Sequence, residues 1–143
     1  MAQLQNLHAI SIFLAAVAAW VFGAFYYGLL GRSWLAAQGK TMEQVKAESA
    51  TRSTVAKAAP FLLSFIAEIV MAAGLSGIMF HVGIYGLRAG AFSGAMCWLA
   101  FVLTTVAVNN AYTFRRLALT AIDAGHWLGV LLIIGMILGW WGR

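Results

Sequence analysis

The chain has 143 residues, 63% of them hydrophobic and 9% charged, with a mean hydropathy of +0.88; soluble domains carry roughly 25% charged residues, so water is not the solvent it is built for. Nine Lys and Arg against four Asp and Glu give a formal charge of +5, but the basic residues fall in gaps between apolar runs, where they set topology and attract anionic headgroups. The lipid bilayer is therefore the expected partner, and nucleic acid is set aside. A single cysteine, Cys97, excludes an intramolecular disulfide and a thiolate metal cluster and reads as a small buried apolar residue.

A bilayer core of roughly 30 Å needs about 20 apolar residues in helix, and four windows meet this length: 9–30, 58–80, 89–112 and 119–141. No Lys or Arg precedes Arg32, so the first window is expected to be a retained helix and not a cleaved leader. Tyr26, Tyr27 and Trp34 near its far end read as headgroup anchors, as do Trp140 and Trp141 at the end of the fourth. In the loop 31–57, Thr41-Met42-Glu43-Gln44 has the form of a capping box and predicts a short surface helix, with Glu43 and Lys46, and Glu48 and Arg52, spaced to pair along it. Pro60 falls in the first turn of the second window, where its missing N–H costs little.

The runs are too long for membrane strands, which cross in about 10 alternating residues. The expected fold is an all-α integral membrane protein: a single domain, 1–143, forming a four-transmembrane-helix bundle with a short amphipathic helix in the first cytoplasmic loop. Arg32, Lys40, Lys46, Arg52, Lys57, Arg115 and Arg116 lie on one side and only Arg88 and Arg143 on the other. The positive-inside rule then makes loops 31–57 and 113–118 cytoplasmic and places both termini outside the cell inner (cytoplasmic) membrane. His8 and His81 fall at the outer ends of helices and read as interfacial.

Gly125 with Gly129, and Gly135 with Gly139, follow the GxxxG spacing that lets helix backbones approach closely in lipid. They serve either packing within the chain or a homo-oligomer interface. Ala19 with Gly23 is a weaker small pair on the first helix.

The informative residues are those that hydrocarbon should reject. Glu68 is near the middle of the second window, where an acidic group costs a few kcal/mol and normally faces a helical interior, a watery cavity or a partner. Ser64 is one turn earlier on the same face and within reach of it. Glu68 is read either as a proton-titrating or cation-binding group, or as a neutral acid hydrogen-bonded across the bundle.

A second polar group comes from Thr105, Asn109 and Asn110 on the third helix and Thr120, Asp123 and His126 on the fourth. Residues 120, 123 and 126 stay within one 120° arc, expected to face the third helix, with Asp123 holding the His126 imidazole in one tautomer. A proton relay or solute contact is one use for this group, and tying helix ends together is the other. Asp123 and His126 supply only two ligands at one depth, so no metal is expected. Nor is a cofactor, and with no nucleophile triad, zinc-protease motif or phosphate loop the chain is not read as an enzyme.

Some segments resemble a known family. Trp20-Val21-Phe22-Gly23-Ala24-Phe25-Tyr26-Tyr27-Gly28 followed by Gly31-Arg32-Ser33-Trp34, then Val108-Asn109-Asn110 and the ending Gly139-Trp140-Trp141, are similar to the bacterial domain-of-unknown-function family 1761 of small four-helix membrane proteins. The resemblance runs nearly end to end. It implies the architecture and no reaction, substrate or cofactor. Two functions therefore stand: a homo-oligomeric transporter or channel component handling protons or a small polar solute, and an interaction or scaffold protein without transport or catalysis.

Overall fold

A computed structural model describes the backbone of residues 2–141 and the side chains of residues 9–141; the reading of His8 lies outside the described side chains. Among the described residues five helices follow one another: α1 (Ala2–Gln38), α2 (Met42–Ala50), α3 (Thr54–Val82), α4 (Leu87–Tyr112) and α5 (Leu117–Trp141). No strand occurs among the described residues. Four of the helices, all but α2, are long and apolar enough to cross a membrane.

Local chemistry explains the helix ends. α1 continues past residue 30 because Gly31, Arg32 and Ser33 do not break a helix; the first stop is Gly39, at φ +73. There Gly39 N–H donates to Ala36 O and Lys40 N–H to Leu35 O, both at 3.0 Å, which is the Schellman closure that a left-handed glycine permits. Gly83, at φ +70, ends α3 in the same way, with Ile84 N–H donating to Met79 O. The predicted capping box forms at α2: Gln44 N–H donates to Thr41 Oγ1 at 3.3 Å and Thr41 N–H to Gln44 Oε1 at 2.9 Å. The pairing expected for Glu48 with Arg52 is replaced by a Lys40–Glu48 bridge at 2.9 Å, which folds the end of α1 onto α2.

α5 is the central helix. It packs on α4, α1 and α3, and 39% of its apolar window is buried against 6% for α4. The α4–α5 contact rests on glycine: a Cβ on Gly90 would overlap the Gly135 carbonyl, one on Gly94 the Leu131 carbonyl, and one on Gly139 the Gly86 carbonyl. Gly86 N–H also donates to Gly139 O at 2.9 Å. Gly135 and Gly139 thus meet a Gly86/Gly90/Gly94 ladder within the chain. On the other side, Ala15 and Ala19 of α1 and Ala72, Leu75 and Met79 of α3 close over Val130, Leu131, Ile134 and Leu138 of α5.

α4 is interrupted. Residues Trp98–Leu103 form a π-helical stretch, whose wider turn re-phases the helix beyond it. Counted in α-helical turns from Gly90 and Gly94, Thr105 and Asn109 would continue the face toward α5. The wider turn moves that face on to Asn110, whose Nδ2 donates to Thr120 Oγ1 at 3.1 Å, and leaves Thr105 and Asn109 exposed.

Two outcomes follow. Gly90→Val and Gly135→Val should each lower stability by about 3 kcal/mol or more through overpacking, whereas Gly28→Ala, where a Cβ meets nothing within 4 Å, should be neutral or slightly stabilising; denaturant unfolding in detergent micelles checks this. The Lys40 hydrogen bond and charge hold the Glu48 carboxyl below its usual range, so the bridge contributes above the unfolded-state carboxyl pKa and is lost as pH falls through the folded one. Amide exchange across Lys40–Ala50 should therefore rise at acidic pH beyond its intrinsic dependence, and Lys40→Ala should remove that excess.

Candidate functional site

Two polar centres lie inside the helices at different depths. The first forms where the α2 end of α1 crosses the start of α5. Tyr27 and Trp34 are seven residues apart, two turns on one face of α1, and both donate to one carboxylate oxygen: Tyr27 Oη to Asp123 Oδ1 at 3.1 Å and Trp34 Nε1 at 2.9 Å. Tyr26 Oη donates to the Ile122 carbonyl at 3.0 Å, and from α4 the Trp98 indole donates to the Ala124 carbonyl at 2.8 Å. Arg116 donates to Ala36 O at 3.2 Å. Among the described residues no cation pairs with Asp123, so neutral donors alone hold its carboxylate.

His126, one turn on from Asp123, is 6% exposed. Its ring stacks on Phe22 at 10° and touches Tyr27, Trp127 and Tyr26 with centroids 4.9, 5.0 and 5.6 Å away. The ring fits because Gly23 faces it: a Cβ there would lie 2.8 Å from His126 Nε2. Gly129 and Gly125 make the same kind of room for Phe22 and the Tyr26 hydroxyl. His126 Nδ1 is buried and has no hydrogen-bond partner.

The second centre is Glu68, fourteen residues from either end of α3 and 1% exposed. It heads the buried stripe Glu68, Ala72, Leu75, Met79, whose other members are apolar. Its Oε2 has no partner. Ser64 does not supply one, because its hydroxyl donates to Phe61 O in its own helix at 2.9 Å. Trp20 Nε1 donates to Phe61 O, and Phe65 packs on both Phe13 and Trp20. This register sets Glu68 level with the Ile12–Ala16 turn of α1, about 15 Å from the level of His126 at 1.5 Å per residue.

The polar group expected between the third and fourth helices is therefore only partly assembled. Asn110 and Thr120 meet; Thr105 donates instead to Phe101 O in its own helix at 2.6 Å, and Asn109 faces outward. Asp123 and His126 turn to α1, and no hydrogen bond joins the two. No group of three or more His, Cys, Asp or Glu able to hold a metal occurs among the described residues. The residues missed were Tyr27 and Trp34, read as headgroup anchors, and Trp98. The seven-residue spacing of Tyr27 and Trp34 on one face of α1 was legible, but the carboxylate they meet, 96 and 89 residues away in sequence, was not.

A family model described as a protein of unknown function, DUF1761, matches residues 10–139. The chain belongs to the DUF1761 family. Comparison with curated proteins and with solved structures gave no match. The matched span includes Glu68 and the whole Asp123–His126 centre, so both lie within the DUF1761 region.

Replacing Asp123 with Ala strands two half-buried donors and should cost about 1 kcal/mol or more, while Asp123→Asn, which keeps an acceptor, should cost less than half of that. Gly23→Val should be at least as harmful as Asp123→Ala, because the added side chain displaces the His126 ring. Unfolding midpoints of the three variants in one detergent rank them.

Proposed function

We propose that this protein is a membrane-embedded four-helix bundle of the cytoplasmic membrane, working as a homo-oligomeric transporter or channel component that handles protons through Glu68. The observation that carries this reading is the carboxyl of Glu68, sealed at 1% exposure with Oε2 unpartnered. With α3 spanning a bilayer, Glu68 is about 21 Å from either helix end, at the depth where an ionised group is most costly. A purely structural position there is better filled by an apolar side chain, since buried unpaired polar groups destabilise. A carboxyl kept at that depth is suited to binding and releasing a proton. In the bundle, loops 31–57 and 113–118 are cytoplasmic and both termini outside, in line with the charge asymmetry of the loops.

A homo-oligomer is part of the proposal because, among the described residues, the core of one chain is apolar apart from Ser11, Glu68 and His126, which leaves little room within it for a watery route that a contact between copies could supply. The second reading is an interaction protein without transport. It is favoured by α4, in which half of the residues, among them Phe92, Leu99, Phe101 and Val108, stay exposed and are free to meet another helix. No enzymatic step is proposed.

Glu68→Gln keeps shape and a neutral hydrogen-bonding head and removes titration. In proteoliposomes it should abolish a pH-dependent proton flux while leaving assembly intact; flux unchanged at every pH would contradict the transport reading. Glu68→Met should raise the unfolding midpoint, because it replaces an unpaired polar group with an apolar one of similar volume.

A further inference from the structure

The sequence pairs Asp123 with His126, and the structure does not: Asp123 Oδ1 is taken by Tyr27 and Trp34, and the buried Nδ1 of His126 has no partner. The two side chains are nevertheless neighbours on one helix face, three residues apart, where such pairs reach each other. We infer that His126 is a proton-operated release for the contact between α1 and α5, in which a protonated His126 takes Asp123 from Tyr27 and Trp34.

Neutral imidazole needs one acceptor for its one N–H, whereas imidazolium has two donors. In the closed arrangement the ring is walled by Phe22, Tyr26, Tyr27 and Trp127, and Gly23 closes on Nε2. Aromatic faces attract a cation but accept no strong hydrogen bond, so a proton arriving from water leaves a charged buried donor unpaired, which is costly. Asp123 is the one carboxyl at hand, three residues away on the same helix face. The other titratable groups facing the ring are the Tyr26 and Tyr27 hydroxyls of α1, both acting as donors. α4 contributes the Trp98 indole, which donates to Ala124 O, and Cys97, which packs on the apolar core. The carboxyl of α3, Glu68, is about 15 Å away along the helix axes.

A rotation of Asp123 toward His126 gives the new cation a charge-assisted partner and deprives Tyr27 and Trp34 of their shared acceptor. Those two bonds tie the Tyr27–Trp34 stretch of α1 to α5; the other hydrogen bonds at that end are Tyr26 on Ile122 O and Arg116 on Ala36 O. Acidification thus loosens the α2 end of α1 while the glycine contact of α4 with α5, at the opposite end of α5, stays closed. Glu68 takes no part in this, so the inference stands or falls apart from the transport reading.

The test is the indole N–H resonance of Trp34, assigned by its loss in Trp34→Phe, followed against pH in lipid nanodiscs beside the ring C–H signals of His126. In the unmodified protein the Trp34 signal should shift with the same midpoint as His126. In His126→Gln it should keep its high-pH position throughout. In Asp123→Asn, which retains an acceptor for both donors and lacks the charge that draws His126, Trp34 should stay fixed while His126 still titrates. A Trp34 signal that is constant while His126 titrates in the unmodified protein overturns the inference. So does a shift that persists in His126→Gln, or a His126 that never titrates while the protein remains folded. The unmodified protein and Asp123→Asn decide the question even if His126→Gln does not fold.

Discussion

Four helices of this chain are long and apolar enough to cross a membrane; hydrocarbon offers no hydrogen bonds, and a polar atom placed at that depth must find its partner inside the protein. The backbone meets that demand with long helices. Most side chains meet it locally: Ser64, Ser93, Thr104, Thr105 and Thr113 return their hydroxyls to carbonyls of their own helix. The larger donors Trp20, Tyr26 and Trp98 reach across to carbonyls of a neighbouring helix, and so tie helices together with bonds that lipid cannot compete for. Against this background the exceptions stand out. Among the described residues the buried atoms with no partner are Gln38 Nε2, Glu68 Oε2 and His126 Nδ1, and two of these belong to groups that bind protons.

α5 serves two different purposes along its length. Its second half is built on glycine, with Gly135 and Gly139 against Gly86 and Gly90, so backbones touch and little can move without a clash. Its first half is built on aromatic rings around His126 and on one carboxylate shared by two donors. Rings and a shared acceptor can rearrange by side-chain rotation, whereas a glycine ladder can only open as a whole. Rigidity at one end and exchangeable bonds at the other are what a device that senses protons without unfolding requires. The π-helical stretch of α4 belongs with the first half: it begins at Trp98, whose indole donates to Ala124 O, between Asp123 and His126 in sequence.

Much of the architecture was legible because it depends on composition and local chemistry. Apolar length marked the four long helices, Thr41 and Gln44 marked the start of α2, and Glu68 announced itself as a carboxyl where lipid forbids one. Hydropathy says where a chain can be buried and not where a helix stops, so the end of α1 was placed at residue 30 although the first stop is Gly39. The face of α4 was misjudged because a π turn has no simple sequence signature: extrapolated in regular turns, Thr105 and Asn109 point at α5, and only the wider turn brings Asn110 there. The partners of Asp123 were missed because spacing within one helix reveals candidates such as His126 three residues on, while Tyr27 and Trp34 come from a helix almost a hundred residues earlier and had an adequate explanation as headgroup anchors.

The central claim is that Glu68 gains and loses a proton while buried among apolar side chains. Infrared difference spectra of the protein in lipid vesicles, recorded as pH is stepped, test it directly through the carboxylic C=O stretch. A pH-dependent carboxyl band present in the unmodified protein and missing from Glu68→Gln is the expected result. Identical difference spectra for the two proteins would mean that Glu68 does not change protonation, and would contradict the claim.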